Sequence, residues 1–256
     1  MVLVCSSFDM GWQLLAEIKL NAKDIQTDRL GNVYAISNTN QLYKFDPNGK
    51  LLSTLNYAYL GNMSHIDASN PMELYVFYKE LNTVVFLDNN LAFRGKVNLS
   101  EAGILLASAL GRSNTNGLWV YDVGSMQLKR LNKDGSLVQE SGNVRQFVAS
   151  ENFYPTAIID DGLRIYVCDS SSGILVFDVF ANYLKTIPIT GILELRMVKD
   201  ELFYVRNNQL ISYRTSTYQR DTMNLPKADF IDFCIEKDRL YLMDSNQVQI
   251  YGFSKR

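Results

Sequence analysis

Ile165-Tyr166-Val167-Cys168, followed by Gly173-Ile174-Leu175-Val176-Phe177-Asp178, is the stretch from which the architecture can be read. Apolar and aromatic side chains alternate with period two in the first segment, which is the signature of a half-buried β-strand. The second segment is a further strand, closing on aspartate. Five more segments have the first form: Val33-Tyr34-Ala35-Ile36, Leu74-Tyr75-Val76-Phe77, Leu118-Trp119-Val120-Tyr121, Phe203-Tyr204-Val205 and Leu240-Tyr241-Leu242-Met243. Their aromatic anchors lie 41, 44, 47, 38 and 37 residues apart. That is the length a four-stranded antiparallel sheet and its turns consume, and the period-two pattern excludes helical solenoids of similar repeat length.

The rest of each repeat agrees. A second strand follows each anchor, as in Gln41–Asp46, Thr83–Asp88, Gln127–Asn132, Gln209–Tyr213 and Gln247–Tyr251. Turns come next, clearest at Asp46-Pro47-Asn48-Gly49 and Asn132-Lys133-Asp134-Gly135, where the last glycine suits a left-handed position. A smaller apolar strand precedes each anchor, for example Thr156-Ala157-Ile158-Ile159. The sixth repeat ends one strand short, while Trp12, Leu14, Ala16, Ile18 and Leu20 alternate as an orphan strand at the other end. Joining the two ends completes the last sheet and leaves no unpaired edge there. The expected fold is all-β: a six-bladed β-propeller of four-stranded antiparallel blades, closed by the N-terminal strand, with residues 1–11 a tail and residues 12–256 a single domain.

Composition agrees. Of 256 residues, 12% are aromatic, which favours pleated surfaces, and 47% are hydrophobic, enough for a large core. A net charge of −2 with no basic cluster argues against a nucleic-acid partner. No apolar run is long enough to span a membrane. The three cysteines form no disulfide framework, and Cys168 and Cys234 fall within strands as small buried hydrophobes. Met1 to Ser7 has the look of the tail of an export signal running into a lipidation cysteine, Cys5, although Val4 stands where a small residue is wanted. Phosphate-binding glycine loops, nucleophile elbows, Cys-x-x-Cys and His-Glu-x-x-His are all missing.

The repeat resembles the broad six-bladed propeller superfamily that includes NHL-repeat proteins and the SMP-30/gluconolactonase group, over about Trp12 to Phe253. The Gly-His and Trp-Asp pairs of WD40 repeats and the double glycines of Kelch repeats are absent. Members of the gluconolactonase group hold a metal in the axial channel with Glu, Asn and Asp ligands and hydrolyse lactones. Counting back from the anchors places Asp24, His65, Thr156, Glu194 and Asp232 at one channel mouth, the residue of the third blade being unassigned. A bound divalent cation is one expectation for this ring, with Asp24, Glu194 and Asp232 as oxygen ligands and His65 as imidazole, although no asparagine falls in place. The other is that the ring merely solvates the channel. One level further in, Asp67 and Arg196 stand where a cross-channel ion pair could form, but independent exposed side chains are the stronger expectation.

The anchors, repeated in every blade, read as core rather than as a sugar-stacking platform. Aromatic and aliphatic residues outside the repeat, Tyr57, Tyr59, Leu60, Phe153 and Tyr154, are the expected partner-binding loops. The resulting expectation is a non-catalytic binding or scaffolding propeller with a protein or other macromolecular partner. It would be an accessory subunit of a bacterial envelope or secretion-type assembly, in the periplasm or on the surface. A metal-dependent lactonase-like hydrolase and a carbohydrate-binding module are the alternatives.

Overall fold

Alternating apolar residues bury one face of a strand each, and twenty-four such strands account for nearly all the regular structure. The computed structural model describes residues 11–57, 60–148 and 150–253. The first strand, β1 (Trp12–Lys19), precedes the first complete blade, formed by β2 (Ala22–Thr27), β3 (Val33–Ser37), β4 (Leu42–Phe45) and β5 (Leu51–Leu55). Blade two is β6 (His65–Asp67), β7 (Glu73–Tyr78), β8 (Thr83–Asp88) and β9 (Phe93–Asn98); blade three is β10 (Ala107–Ser113), β11 (Gly117–Asp122), β12 (Gln127–Leu131) and β13 (Leu137–Glu140). Blade four contains β14 (Ala157–Asp160), β15 (Arg164–Asp169), β16 (Gly173–Asp178) and β17 (Tyr183–Ile187). Blade five contains β18 (Arg196–Val198), β19 (Glu201–Arg206), β20 (Gln209–Arg214) and β21 (Arg220–Asn224). Blade six has β22 (Asp232–Glu236), β23 (Arg239–Met243) and β24 (Gln247–Phe253), with β1 as its outer strand.

That last pairing closes the ring. Trp12 lies opposite Phe253 and Lys19 opposite Gln247 in antiparallel register, with a bulge between Leu14 and Ala16. The bulge interrupts the expected alternation: Ala16 and Ile18 face inward, whereas Leu14 is turned to solvent beside Leu15. At its centre inner strands of neighbouring blades pack together, β22 against both β18 and β2, β2 against β6, and β10 against β14.

The core lies between blades. Tyr34, Tyr75, Trp119, Tyr166, Tyr204 and Tyr241 are all fully buried there. Several aim their polar tips at the loop between first and second strands. The Tyr34 hydroxyl donates to Asp28 at 3.0 Å, and the Tyr166 hydroxyl to Asp161 at 3.1 Å. Trp119 Nε1 donates to Asp160 of the next blade at 2.9 Å. These three rings thus contribute apolar area without orphaning a donor, whereas the buried Tyr75 hydroxyl has no hydrogen-bond partner among the described residues.

The turn between third and fourth strands recurs as one motif. Asp46, Asp88 and Asp178 each accept two backbone N–H groups of their own turn through Oδ1. A left-handed residue and a bulge follow, at Gly49, Leu91, Gly135 and Ala181. Glycine fills this position in blades one and three only; the side chains of Leu91 and Ala181 are buried instead.

Candidate functional site

Inner strands start at one mouth of the axial channel, here the upper one, and end at the other. The upper mouth opens on a cavity of about 310 Å³ lined by Asp24, His65, Thr156, Glu194 and Asp232. The five ring residues therefore lie together. His65 and Asp232 begin their strands, Asp24 is the third residue of β2, and Thr156 and Glu194 come just before β14 and β18. The missing member of the ring is Ser108, beside a bulge in β10, whose Oγ has no hydrogen-bond partner. An irregular strand start hid it from a count based on spacing.

The ring's bonds run between blades. Asp24 of blade one accepts the Ile66 backbone N–H of blade two at 2.9 Å and lies 3.3 Å from His65 Nδ1. Thr156 of blade four donates to the Leu193 carbonyl, at the approach to blade five, at 2.8 Å. Arg196 of blade five donates to the Phe233 carbonyl at 3.1 Å and to Asp232 at 3.0 Å, both in blade six. Asp232 in turn accepts the Ile25 N–H of blade one at 3.4 Å, and the Cys234 thiol donates to the Ile25 carbonyl at 3.2 Å. These residues staple neighbouring blades where inner strands lack a common ladder.

Asp67 and Arg196 do not pair with one another, and each has a partner elsewhere. Arg196 reaches Asp232 and Glu194, the latter at 2.7 Å, while Asp67 lies 3.8 Å from Arg112 Nε and accepts from Ser69. Arg112 also bonds Glu73 at 3.1 Å. Each guanidinium takes a partner from an adjoining blade because that partner also holds the ring together, whereas one across the channel stays solvated.

Electrostatics follow from this packing. Burial disfavours charge on His65, yet the adjacent Asp24 carboxylate overrides it and raises the imidazole to about 8. Burial pushes the Asp232 carboxyl above the usual range against the pull of Arg196, with Glu194 and Asp24 adding to the rise. Burial also raises the Cys168 and Cys234 thiols to about 12, so neither is a ready nucleophile.

The carboxylates of the ring are engaged by other groups. The carboxylates of Asp24 and Asp232 already accept backbone N–H groups, and Glu194 is bound by Arg196. Among the described residues no three His, Cys, Asp or Glu side chains converge on one point.

Of the expected partner loops, Phe153 is buried, edge-on against Tyr121 at 5.2 Å. Tyr57 and Leu60 pack partly onto the core between blades one and two. Tyr154 is exposed, with Lys79 5.3 Å above its ring. Tyr59 and Cys5 lie outside the described residues. The structure adds exposed side chains that the sequence did not single out: Leu105, Leu106, Leu193 and Ile231 stand on the loops entering blades three, five and six, around the same mouth as Tyr154.

A larger cavity of about 590 Å³ runs from His65, Thr156 and Glu194 of the ring down the channel to the lower mouth, where Arg29, Asn114, Lys199 and Lys237 line it. No helix among the described residues is long and apolar enough to cross a membrane.

No known protein family matches the sequence, and no curated protein does. Solved structures do. Virginiamycin B lyase from Staphylococcus aureus superposes over 95% of this chain and 100% of its own, with a TM-score of 0.68 at 12% identity. The WD40 domain of Neurospora crassa Pan2 matches over 96% of this chain and 97% of its own, with a TM-score of 0.62 at 8% identity. YCF48 bound to D1 peptide matches over 95% and 79%, with a TM-score of 0.55 at 10% identity. Likeness at such low identity is likeness of fold, and the six four-stranded sheets make this chain a six-bladed β-propeller.

Proposed function

We propose that this propeller is a non-catalytic binding module that takes a protein partner on its upper face. One observation carries the reading: exposed apolar side chains on four successive loops, Leu105 and Leu106, Tyr154, Leu193, and Ile231, surround a mouth whose ionisable residues are engaged in joining blades. Apolar groups gathered at one mouth favour association, since covering them removes apolar area from water. Similar propellers fit such a role, YCF48 having been solved with a peptide bound. Lactone hydrolysis is disfavoured by the donor set described above, and a lone, carboxylate-paired His65 offers no nucleophile to activate.

The test compares two triple variants. Leu105→Glu, Leu193→Glu and Ile231→Glu together should abolish recovery of the partner cross-linked to the wild-type protein in extract of the native cell, with an unchanged melting temperature. The control, Leu51→Glu, Leu137→Glu and Leu184→Glu on exposed positions of outer strands, should recover it normally. Equal recovery by both variants removes the upper face from consideration. If the rival hydrolase were correct, calcium, zinc or manganese would raise the melting temperature of the wild type. We further propose a place in a bacterial envelope assembly, motivated by Met1 to Ser7; palmitate labelling that persists in Cys5→Ala would refute the anchor.

A further inference from the structure

We infer that the lower cavity is a second binding site, for a small ligand bearing several carboxylates. At about 590 Å³ it has the size of a small-molecule pocket. Arg29, Lys199 and Lys237 line it from corresponding loops of blades one, five and six, which are consecutive around the ring. All three are exposed, and none forms a hydrogen bond or ion pair among the described residues. Each has an aspartate beside it in sequence, Asp28, Asp200 or Asp238, but none of these lines the cavity. The three cations line the cavity, whereas these three aspartates do not.

Backbone geometry gives an independent reason to single out the lysines. Lys199 and Lys237 hold φ of +57° and +56°, a left-handed conformation costly for a side chain with a Cβ. In the same loops of blades one, three and four the left-handed residues are Gly31, Asn116 and Gly162, the types that adopt it readily. Elsewhere Leu91 and Ala181 tolerate it because their side chains are buried. The exposed Tyr218, at φ of +63°, shares the conformation but is held by Lys185, which stacks on its ring and donates to its hydroxyl. Lys199 and Lys237 have neither burial nor such a contact among the described residues, and strain kept without a packing reason points to a role for the side chain.

Five carboxylates also line the cavity, and four of them are engaged: Asp67 lies beside Arg112 and accepts from Ser69, and Glu194 is paired with Arg196. Asp160 is bonded by Asn114, Trp119 and the Gly162 N–H, and Asp161 by the Leu163 and Arg164 N–H groups and the Tyr166 hydroxyl. Glu236 alone lacks a hydrogen-bond partner there, and it sits in the field of Lys237 and Arg29. It occupies the place a ligand carboxylate would compete for. Deeper in, the buried Nε of Arg112 has no hydrogen-bond acceptor, and the amide side chains of Gln26 and Asn114 offer neutral contacts.

This inference does not rest on the apolar loops of the upper face and is tested without any protein partner. Binding of citrate and of a capped triglutamate peptide is measured by calorimetry at low salt, with sucrose as the uncharged control. Citrate binding alone would identify a free polycarboxylate as the ligand type, and peptide binding alone an acidic peptide segment; either supports the site. Lys199→Asn with Lys237→Asn should weaken binding roughly tenfold, from a few-fold per exposed charge, without lowering the melting temperature, because asparagine accepts the left-handed turn. Glu236→Gln should tighten it, having removed a competitor while leaving the cations in place. The inference is overturned if neither probe binds, if sucrose binds as well, or if the asparagine variant binds like the wild type.

Discussion

His65 is the single histidine in the chain, so its titration can be followed without assignment by the imidazole proton resonances. Asp24 beside it raises its pKa from 6.5 to about 8 despite the cost of burial. A pKa higher in the folded state means that the folded protein holds this proton more tightly. The contribution to stability is complete below about pH 6.5 and is lost as pH rises through 8. With the imidazole 38% exposed, solvent screening limits the effect to under about 1 kcal/mol. Melting temperatures of wild type and His65→Gln should therefore differ more at pH 6 than at pH 9, and a histidine titrating at or below 6.5 would contradict the Asp24 contact. Identity and position of these two residues were legible in the sequence. Their function as a clamp between blades was not, because the backbone N–H of Ile66 that Asp24 accepts is placed by tertiary packing.

At the level of the strand and its turn, blades two and four depart from the glycine rule in opposite ways. Leu91 and Ala181 both have a φ of +66°, where a Cβ is disfavoured by roughly 1 kcal/mol or more. Ala181 has one buried methyl to lose, whereas Leu91 has a whole side chain in the core between blades one and two. Ala181→Gly should consequently be neutral or stabilising by up to about 1 kcal/mol, while Leu91→Gly should destabilise by roughly 2 kcal/mol or more from lost burial. Urea denaturation of both variants decides it; a stabilised Leu91→Gly would mean that strain outweighs packing. The turn motif itself was readable where glycine follows Asp46 and Asn132. It was hidden where a buried side chain took the position, since a local pattern carries no record of what packs against it.

For the whole molecule, closure of the ring is the determining contact. Strand β1 supplies the outer edge of blade six and buries Ile18 in the core shared by blades six and one. Deleting residues 1–20 leaves β24 as an exposed edge and uncovers that core. The expected outcome is a protein that self-associates through the open edge or loses its cooperative thermal transition, seen by light scattering and calorimetry. A monomeric truncation with wild-type melting behaviour would show that blade six stands without its fourth strand. Circular closure also explains why partners lie two hundred residues apart along the chain, as Ile25 and Asp232 do.

The sequence by itself determined the repeat, its number of copies, the aromatic core and the strand exchange that joins the ends, because each is a matter of period-two patterning and of an unpaired edge that must be covered. It also pointed to five polar residues of the upper mouth, but not to Ser108 or to the exposed Leu105, Leu106, Leu193 and Ile231 around it. Only the tertiary structure decided what those side chains bond to, since Arg196 chose Asp232 and Glu194 over Asp67 on distances between blades rather than along strands. The same holds for the inward-facing cations at the lower mouth: whether a lysine in a short turn faces the channel or the solvent depends on how the six sheets are disposed around the axis, which no single repeat specifies.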